Sequence, residues 1–344
     1  MGFTEFLQIP ELSERYNKVK KYFFIRESAY DVTSACQLRC DGCYYFEGDK
    51  YKTRDNRDAH TWRHFLEQEK ERGINYVNLA GAEPALVPKV LEVCHQVIPM
   101  GNIFSNGLRV IDREVRYRIH LSVWGDHTGD PVYRKYAGGR PGPHCLPVQL
   151  ANYRNDDRPI FVYTFNSENI DQVDEVLREV SAEGHQLTFN IFSAPVHSAS
   201  RLKLSDTLAR TRDKMCEAME QYPKTVVYSQ YNAEVHTQEK SLPQQFGCPY
   251  PRAAIMEGRT GVGIGKSFRS YRTDLTHVPA SDCCIPDTDC ADCRHYAAGS
   301  AIVSSRLALH VDSEASFRGW LDYVDTYLAI WMLGYERGGN LYTH

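Results

Sequence analysis

The sequence predicts an α/β fold of parallel strands joined by crossover helices, followed by a cysteine-rich extension. Two observations predict it. Short β-type runs and helical-period segments alternate from Glu27 to Gln221, which is the pattern of repeated βαβ units. After residue 240 the alternation stops, and Gly-rich, polar and cysteine-bearing segments replace it. The 344 residues are 42% hydrophobic, enough for a substantial core. Net charge is −4 with no basic stripe, so nucleic acid is not an expected partner. No apolar run is long enough to span a bilayer, the longest lying around Tyr327 to Leu333. Eleven cysteines, eight of them in two groups and none preceded by a signal peptide, point to metal ligation in a reducing, cytoplasmic setting.

Residues 1–25 form an N-terminal extension, expected as a short helix on the outside of the core. Residues 26–225 form that core, 226–312 the cysteine-rich domain, and 313–344 an amphipathic helix and tail. Glu27 to Thr33 reads as the first strand, and Cys36, Cys40 and Cys43 follow it in C-x₃-C-x₂-C spacing, with Tyr44 next. Three thiolates can hold three irons of a four-iron cluster and leave the fourth iron open for chemistry. Zinc is the alternative, with a fourth ligand from elsewhere in the chain. His60 to Arg72 has helical period and stops at Gly73. Tyr76 to Ala80 is the second strand and ends in Gly81-Ala82-Glu83-Pro84. Pro88 to Val97 is a helix, and Asn102 to Gly107 is a strand ending in Ser105-Asn106-Gly107. Arg118 to Gly125 is the fourth strand and carries Ser122 and Trp124. Asp126 to Pro143 is a long rim segment, either a lid or specificity loop or an exposed insert, with Asp126, His127, Arg134 and Arg140 as its polar groups. Ile160 to Phe165 is a strand, and Asn166 to Asn169 cap a helix from Ile170 to Glu183. Gln186 to Phe192 and Asp206 to Gln221 complete the sixth unit.

The cysteine spacing with its following aromatic resembles the radical S-adenosylmethionine (SAM) superfamily. So does Gly81-Ala82-Glu83-Pro84, with Ala82 where the family has a second glycine. The resemblance implies a partial (β/α)₆ TIM-like barrel. It implies a SAM-binding [4Fe-4S] cluster on Cys36, Cys40 and Cys43, and SAM seated by Tyr44, Gly81, Ala82, Glu83, Ser105, Asn106, Ser122 and Asn166 or Asn169. In that family an electron, delivered by a flavodoxin or ferredoxin, cleaves SAM to a 5′-deoxyadenosyl radical that takes hydrogen from substrate.

Cys248, Cys283, Cys284, Cys290 and Cys293 lie in the extension, which resembles the SPASM/twitch type and implies one auxiliary [4Fe-4S] cluster. Cys283 or Cys284 would fill a ligand place that the pattern leaves at about Ser267, and zinc is again the alternative. Cys94 and Cys216 read as buried small hydrophobes, and Cys145 is a candidate hydrogen-atom donor. In the tail, Phe317, Trp320, Leu321, Val324, Leu328 and Trp331 share one helix face, expected against the extension or a dimer partner. The expected activity is oxidation or epimerisation of a small polar metabolite, sugar- or aminocyclitol-like, in natural-product biosynthesis. The alternatives are a peptide maturase and a non-catalytic iron–sulfur or zinc protein.

Overall fold

A computed structural model describes residues 2–47, 52–193, 201–204, 206–248, 268–277 and 291–336. The chain opens with helices α1 (Phe3–Phe6) and α2 (Pro10–Lys20). Strand β1 (Glu27–Asp31) runs into the cysteine loop, which contains strand β2 (Leu38–Cys40) and one helical turn, α3 (Tyr44–Glu47). Helix α4 (Ala59–Glu71) is capped by Asp58, which accepts from the Thr61 N–H at 2.8 Å. Then come β3 (Tyr76–Ala80), α5 (Pro88–Val97), β4 (Gly101–Ser105) and β5 (Arg118–Val123). The rim segment folds into α6 (Asp130–Tyr133) and β6 (Arg134–Tyr136) and is followed by α7 (Cys145–Asn152). Next are β7 (Pro159–Phe165), α8 (Val173–Ala182), β8 (Leu187–Ile191) and α9 (Leu208–Gln221). The remainder is α10 (Gln230–His236), α11 (Leu242–Phe246), β9 (Ser270–Tyr271), α12 (Tyr296–Ser304) and α13 (Glu314–Trp331).

Seven strands form one parallel sheet in the order β8-β7-β5-β4-β3-β1-β9, a partial TIM-like barrel. Six of them are the strands expected from the alternation. The seventh, β9, comes from the extension and pairs with β1 through Ala29–Ser270 and Tyr30–Tyr271. It covers an edge that would otherwise present unpaired backbone groups. A two-residue strand carries no period, so its sequence could not announce it. Side chains fix it in place: Tyr30 and Tyr271 stack at 5.4 Å, and both hydroxyls donate to Glu69, at 2.8 and 2.7 Å.

The sheet has a core on each face. Helices α4, α5, α8 and α9 cover the outer face. The inner face, with Ile160 and Val162 of β7, packs against α12 and α13. Helix α13 is therefore buried inside its own chain rather than against a second copy. Its Trp320 is fully buried and donates to the Val303 carbonyl at 3.1 Å. The last turn of α13 meets the starts of the barrel strands. Arg118, the first residue of β5, donates to the Ile330 and Ala329 carbonyls, both at 3.2 Å, and the Tyr76 hydroxyl donates to the Trp331 carbonyl at 2.7 Å. A guanidinium on the bare carbonyls of a helix C-terminus satisfies them and opposes their partial charge. The floor of the barrel is closed in this way. The N-terminal helices pack on α13 through Phe6, Tyr16 and Val19, not on the barrel's outside as expected.

Helix α12 escaped the sequence reading because all nine of its residues are buried, which erases amphipathic period. Gly299 at its centre lets His236 approach, since a Cβ there would stand 2.2 Å from His236 Cε1. His236 stacks on Tyr323 and bonds its hydroxyl at 2.8 Å, and burial lowers its pKa from 6.5 to about 4. A depressed histidine makes no pH-dependent contribution above 6.5. As pH falls from 6.5 towards 4 the unfolded chain gains a proton that the folded chain refuses, so stability drops by about 1.4 kcal/mol per pH unit from this group. Thermal melts of wild type and His236→Gln between pH 7 and pH 4 should show a shallower decline in the variant. Parallel curves would refute the assignment.

Candidate active site

Each of the three N-terminal thiols reaches one cavity of about 260 Å³ at the C-terminal end of the strands. That is the end of a parallel barrel where ligands bind. Cys36, Cys40 and Cys43 line it, together with Tyr44, Gly81, Ala82, Glu83, Ser105, Asn106 and Ser122. Asn166 does not. Its side-chain oxygen accepts from the Glu168 N–H at 2.9 Å and closes the turn after β7. Asn169 is likewise structural, donating to the carbonyls of Trp124 and Thr164 at 2.8 and 2.9 Å. The resemblance implied Asn166 or Asn169 at SAM; neither lines this cavity, and Asn166 Nδ2 has no hydrogen-bond partner among the described residues.

The cysteine loop is held from two sides. Strand β2 pairs antiparallel with β6, in the register Leu38–Tyr136, Arg39–Lys135 and Cys40–Arg134. Lys135 adds two bonds to the Asp41 carboxylate, at 2.8 and 2.9 Å. The rim segment expected as a lid or an exposed insert is thus a clamp on the cysteines. Arg134 is 1% exposed, donates to the Ser122 carbonyl at 2.6 Å, lies 3.6 Å from Asp130, and sets its positive charge beside Cys40. The other rim groups stay off the cavity. His127 is exposed and paired with Glu175 at 2.7 Å, Asp126 accepts from Thr128 and Gly129, and Arg140 lies beside the Tyr136 ring.

Gly81 and Glu83 are fixed by backbone geometry. Gly81 has φ +113°, and a Cβ there would lie 2.7 Å from the Thr33 carbonyl oxygen. Ala82 is not among the residues with positive φ, so an alanine in the second position is unstrained. Its N–H donates to Thr33 at 2.8 Å and ties the end of β3 to that of β1. Glu83 accepts from Ser105 Oγ and Asn106 N–H, both at 2.7 Å, and from Ala85 N–H at 3.1 Å. Those bonds leave its carboxylate about one lone-pair site for a ligand ammonium. Burial pushes the Glu83 carboxyl up, and these donors together with the Arg134 charge oppose that shift.

The donor set fits an iron–sulfur cluster. No thiol here is in a disulfide. Cys36 Sγ accepts from Leu38 N–H at 3.3 Å and Asn106 Nδ2 at 3.7 Å, the surroundings of a ligating thiolate. Burial pushes the Cys36 thiol to about 11 and raises those of Cys40 and Cys43. Positive metal charge is what would reverse that shift.

Cys145 lies off this cavity. It opens α7, is 1% exposed and is not on the cavity wall; its N–H bonds Asp130 at 2.7 Å and its thiol the Pro143 carbonyl at 3.5 Å. A hydrogen donor to substrate must reach the cavity, and this one does not. In the extension, Cys248 follows α11, and Cys293 lines a small recess with Leu242 and Pro243 of that helix. Cys283, Cys284 and Cys290 lie outside the described residues. The sequence reading missed Asn78, His120, Tyr296 and Trp331, which line the inner cavity. A signal existed for two of them: Asn78 interrupts an otherwise apolar run in β3, and His120 sits between Ile119 and Leu121 in β5.

No protein-family model matches the chain. It is 26% identical over 166 residues to the sporulation killing factor maturation protein SkfB of Bacillus subtilis, covering 44% of this chain and 39% of that protein. It is 33% identical over 85 residues to an S-adenosylmethionine-dependent nucleotide dehydratase of a Thermoplasmatales archaeon, covering 24% and 29%. The chain thus spans less than two fifths of either curated relative. Among solved structures, Streptococcus suis SuiB bound to the precursor peptide SuiA aligns with a TM-score of 0.51 at 15% identity, over 78% of this chain and 63% of that one. The enzyme anSMEcpe with bound AdoMet and a peptide aligns with a TM-score of 0.54 at 14% identity, over 88% and 97%. The barrel has the fold of these neighbours, and the cysteine loop carries the spacing by which the chain resembles the radical SAM superfamily. No described helix is long and apolar enough to cross a membrane.

Proposed function

We propose that this chain is a radical SAM enzyme that modifies a peptide, taking hydrogen from an unactivated C–H bond. One observation carries the reading: the three thiols, the Gly81–Glu83 strand end and the polar ends of β4 and β5 open on a single cavity. The peptide class is supported by the partial likeness to a maturation protein and by fold neighbours whose structures hold a peptide. This support favours a peptide over the small metabolite expected from the sequence.

In this reading Cys36, Cys40 and Cys43 hold the SAM-binding [4Fe-4S] cluster. Cys248 and Cys293, with cysteines from Cys283, Cys284 and Cys290, hold the auxiliary cluster. When bound, the first cluster and SAM supply a 5′-deoxyadenosyl radical once an external donor such as flavodoxin or ferredoxin delivers an electron. The chain's own residues do the rest. Arg134 steadies Cys40, and Glu83 locks the ends of β3 and β4 beside the thiols. Trp124 and Phe192, with rings 5.6 Å apart, wall the cavity against water. Oxidation or cross-linking fits an electron-accepting auxiliary cluster, and the position of Cys145 off the cavity lends epimerisation through that thiol no support.

The test is isotopic. A pool of peptides deuterated along backbone and side chains should pass deuterium into 5′-deoxyadenosine under reducing conditions. Deuterium arriving only from labelled sugars or aminocyclitols would contradict the peptide reading.

A further inference from the structure

The cavity is deeper than the cysteine and SAM-facing residues require. Below Ser122 and Ala80 it continues to a second layer formed by Ala29, Asn78, His120 and Val162, floored by Tyr296 and Trp331 from the C-terminal helices. This layer is apolar in its walls and polar at three points. Phe104 and Trp331 meet at 5.7 Å, and Tyr296 stacks on Trp331 at 5.4 Å.

The three polar points are buried, with Asn78 6%, His120 1% and Trp331 3% exposed. Asn78 donates through Nδ2 to Glu27 Oε2 at 2.8 Å, which assigns its other atom as a carbonyl oxygen because a carboxylate only accepts. That Oδ1 has no hydrogen-bond partner among the described residues, and neither has the Trp331 indole Nε1–H. His120 bonds the Tyr296 hydroxyl through Nδ1 at 2.8 Å, and its Nε2 is likewise without a partner there. Buried polar atoms are rarely left unmade, because each such loss costs about 1–3 kcal/mol. The floor therefore presents one fixed acceptor, one fixed donor and one ring nitrogen whose role follows its tautomer.

We propose that this floor is a specificity subsite for a carboxamide side chain, that of asparagine or glutamine, on the peptide being modified; the substrate part of this rests on the peptide reading above. A carboxamide carbonyl accepts from the Trp331 indole, and its two N–H groups serve Asn78 and, in either tautomer, leave a partner for His120. A carboxylate has no hydrogen for Asn78 and would stand near Glu27. An ammonium or guanidinium offers nothing to the indole N–H. An aliphatic chain leaves all three atoms unpaired. Trp331 and Asn78 are thus specificity-determining residues. One comes from the barrel and one from the final helix, so the tail of the chain forms part of the site.

The test reads the floor directly. In holoenzyme labelled with ¹⁵N at tryptophan, the four indole signals are assigned with Trp331→Phe. After saturation with SAM, five capped single residues are titrated: the N-acetyl amides of asparagine, glutamine, aspartate, serine and leucine. The Trp331 signal should move saturably with asparagine or glutamine, with affinity about tenfold or more above the other three, as two neutral hydrogen bonds provide. Asn78→Leu should erase that preference while melting cooperatively, and Trp331→Phe, followed by calorimetric titration of the same five probes because it lacks the signal, should show no preference while retaining SAM binding. Equal responses to all five probes, or a preference for serine or aspartate, would overturn the proposal. So would a Trp331 signal displaced by SAM alone, since the floor would then belong to SAM. The two readings fail separately. A carboxamide preference with deuterium transfer only from sugars keeps the subsite and removes the peptide. Deuterium transfer from peptides with no carboxamide preference does the reverse.

Discussion

Replacing Cys40 by alanine is expected to abolish SAM cleavage, by a factor of at least about 10³, and to lower iron from about eight to about four atoms per chain. The large effect follows from position. Cys40 sits between Cys36 and Cys43 on the cavity wall and ends the strand β2 that β6 clamps, so no neighbouring thiol can take its place. Cys145 is not on that wall and is engaged with the Pro143 carbonyl. Cys216, half-buried on α9 against the outer core, is the control, and Cys216→Ala should retain both iron and cleavage. Iron content, visible absorbance and 5′-deoxyadenosine yield after anaerobic reconstitution measure the difference. Full cleavage in Cys40→Ala would remove the cysteine assignment.

Arg134→Leu is expected to cost about 3 kcal/mol of stability, because removing one member of a buried ion pair strands the other. Asp130 is 1% exposed and would lose its cation, and the Ser122 carbonyl would lose a donor at 2.6 Å. A second consequence separates the clamp from mere packing. With the guanidinium gone, Cys40 loses its charged neighbour, and iron loading should fall along with stability. The double variant Arg134→Leu with Asp130→Leu should recover stability, since a buried pair replaced by apolar groups is often neutral, without recovering iron. Full iron content in both variants would show that Arg134 supports the fold only.

The strands and their order along the chain were legible because each buried strand is a short β-type run set between helical-period segments. The same logic places the thiols at a strand end. What could not be read was whatever depends on contacts distant in sequence. Strands β6 and β9 are three and two residues long and exist through the partners they find, Cys40 and Tyr30 among them. Helix α12 is buried on every side and has no polar face to set its period. Asn166 has the residue type of a SAM contact; its oxygen closes its own turn, and its Nδ2 has no hydrogen-bond partner among the described residues. Polar residues within apolar strands, Asn78 and His120, were the informative irregularities, and their meaning emerged only when Trp331 from the far end of the chain came to lie beside them.

The central claim is that the trio Cys36, Cys40 and Cys43 holds an iron open to SAM beside Gly81 and Glu83. Electron paramagnetic resonance of the anaerobically reconstituted, reduced protein tests it most directly. Adding SAM should change the g-values of the cluster signal in wild type and in a variant lacking Cys293, the proposed auxiliary ligand, and the SAM-responsive signal should be missing in Cys40→Ala, which keeps only the signal of the auxiliary cluster. A cluster spectrum that SAM leaves unaltered would contradict the account.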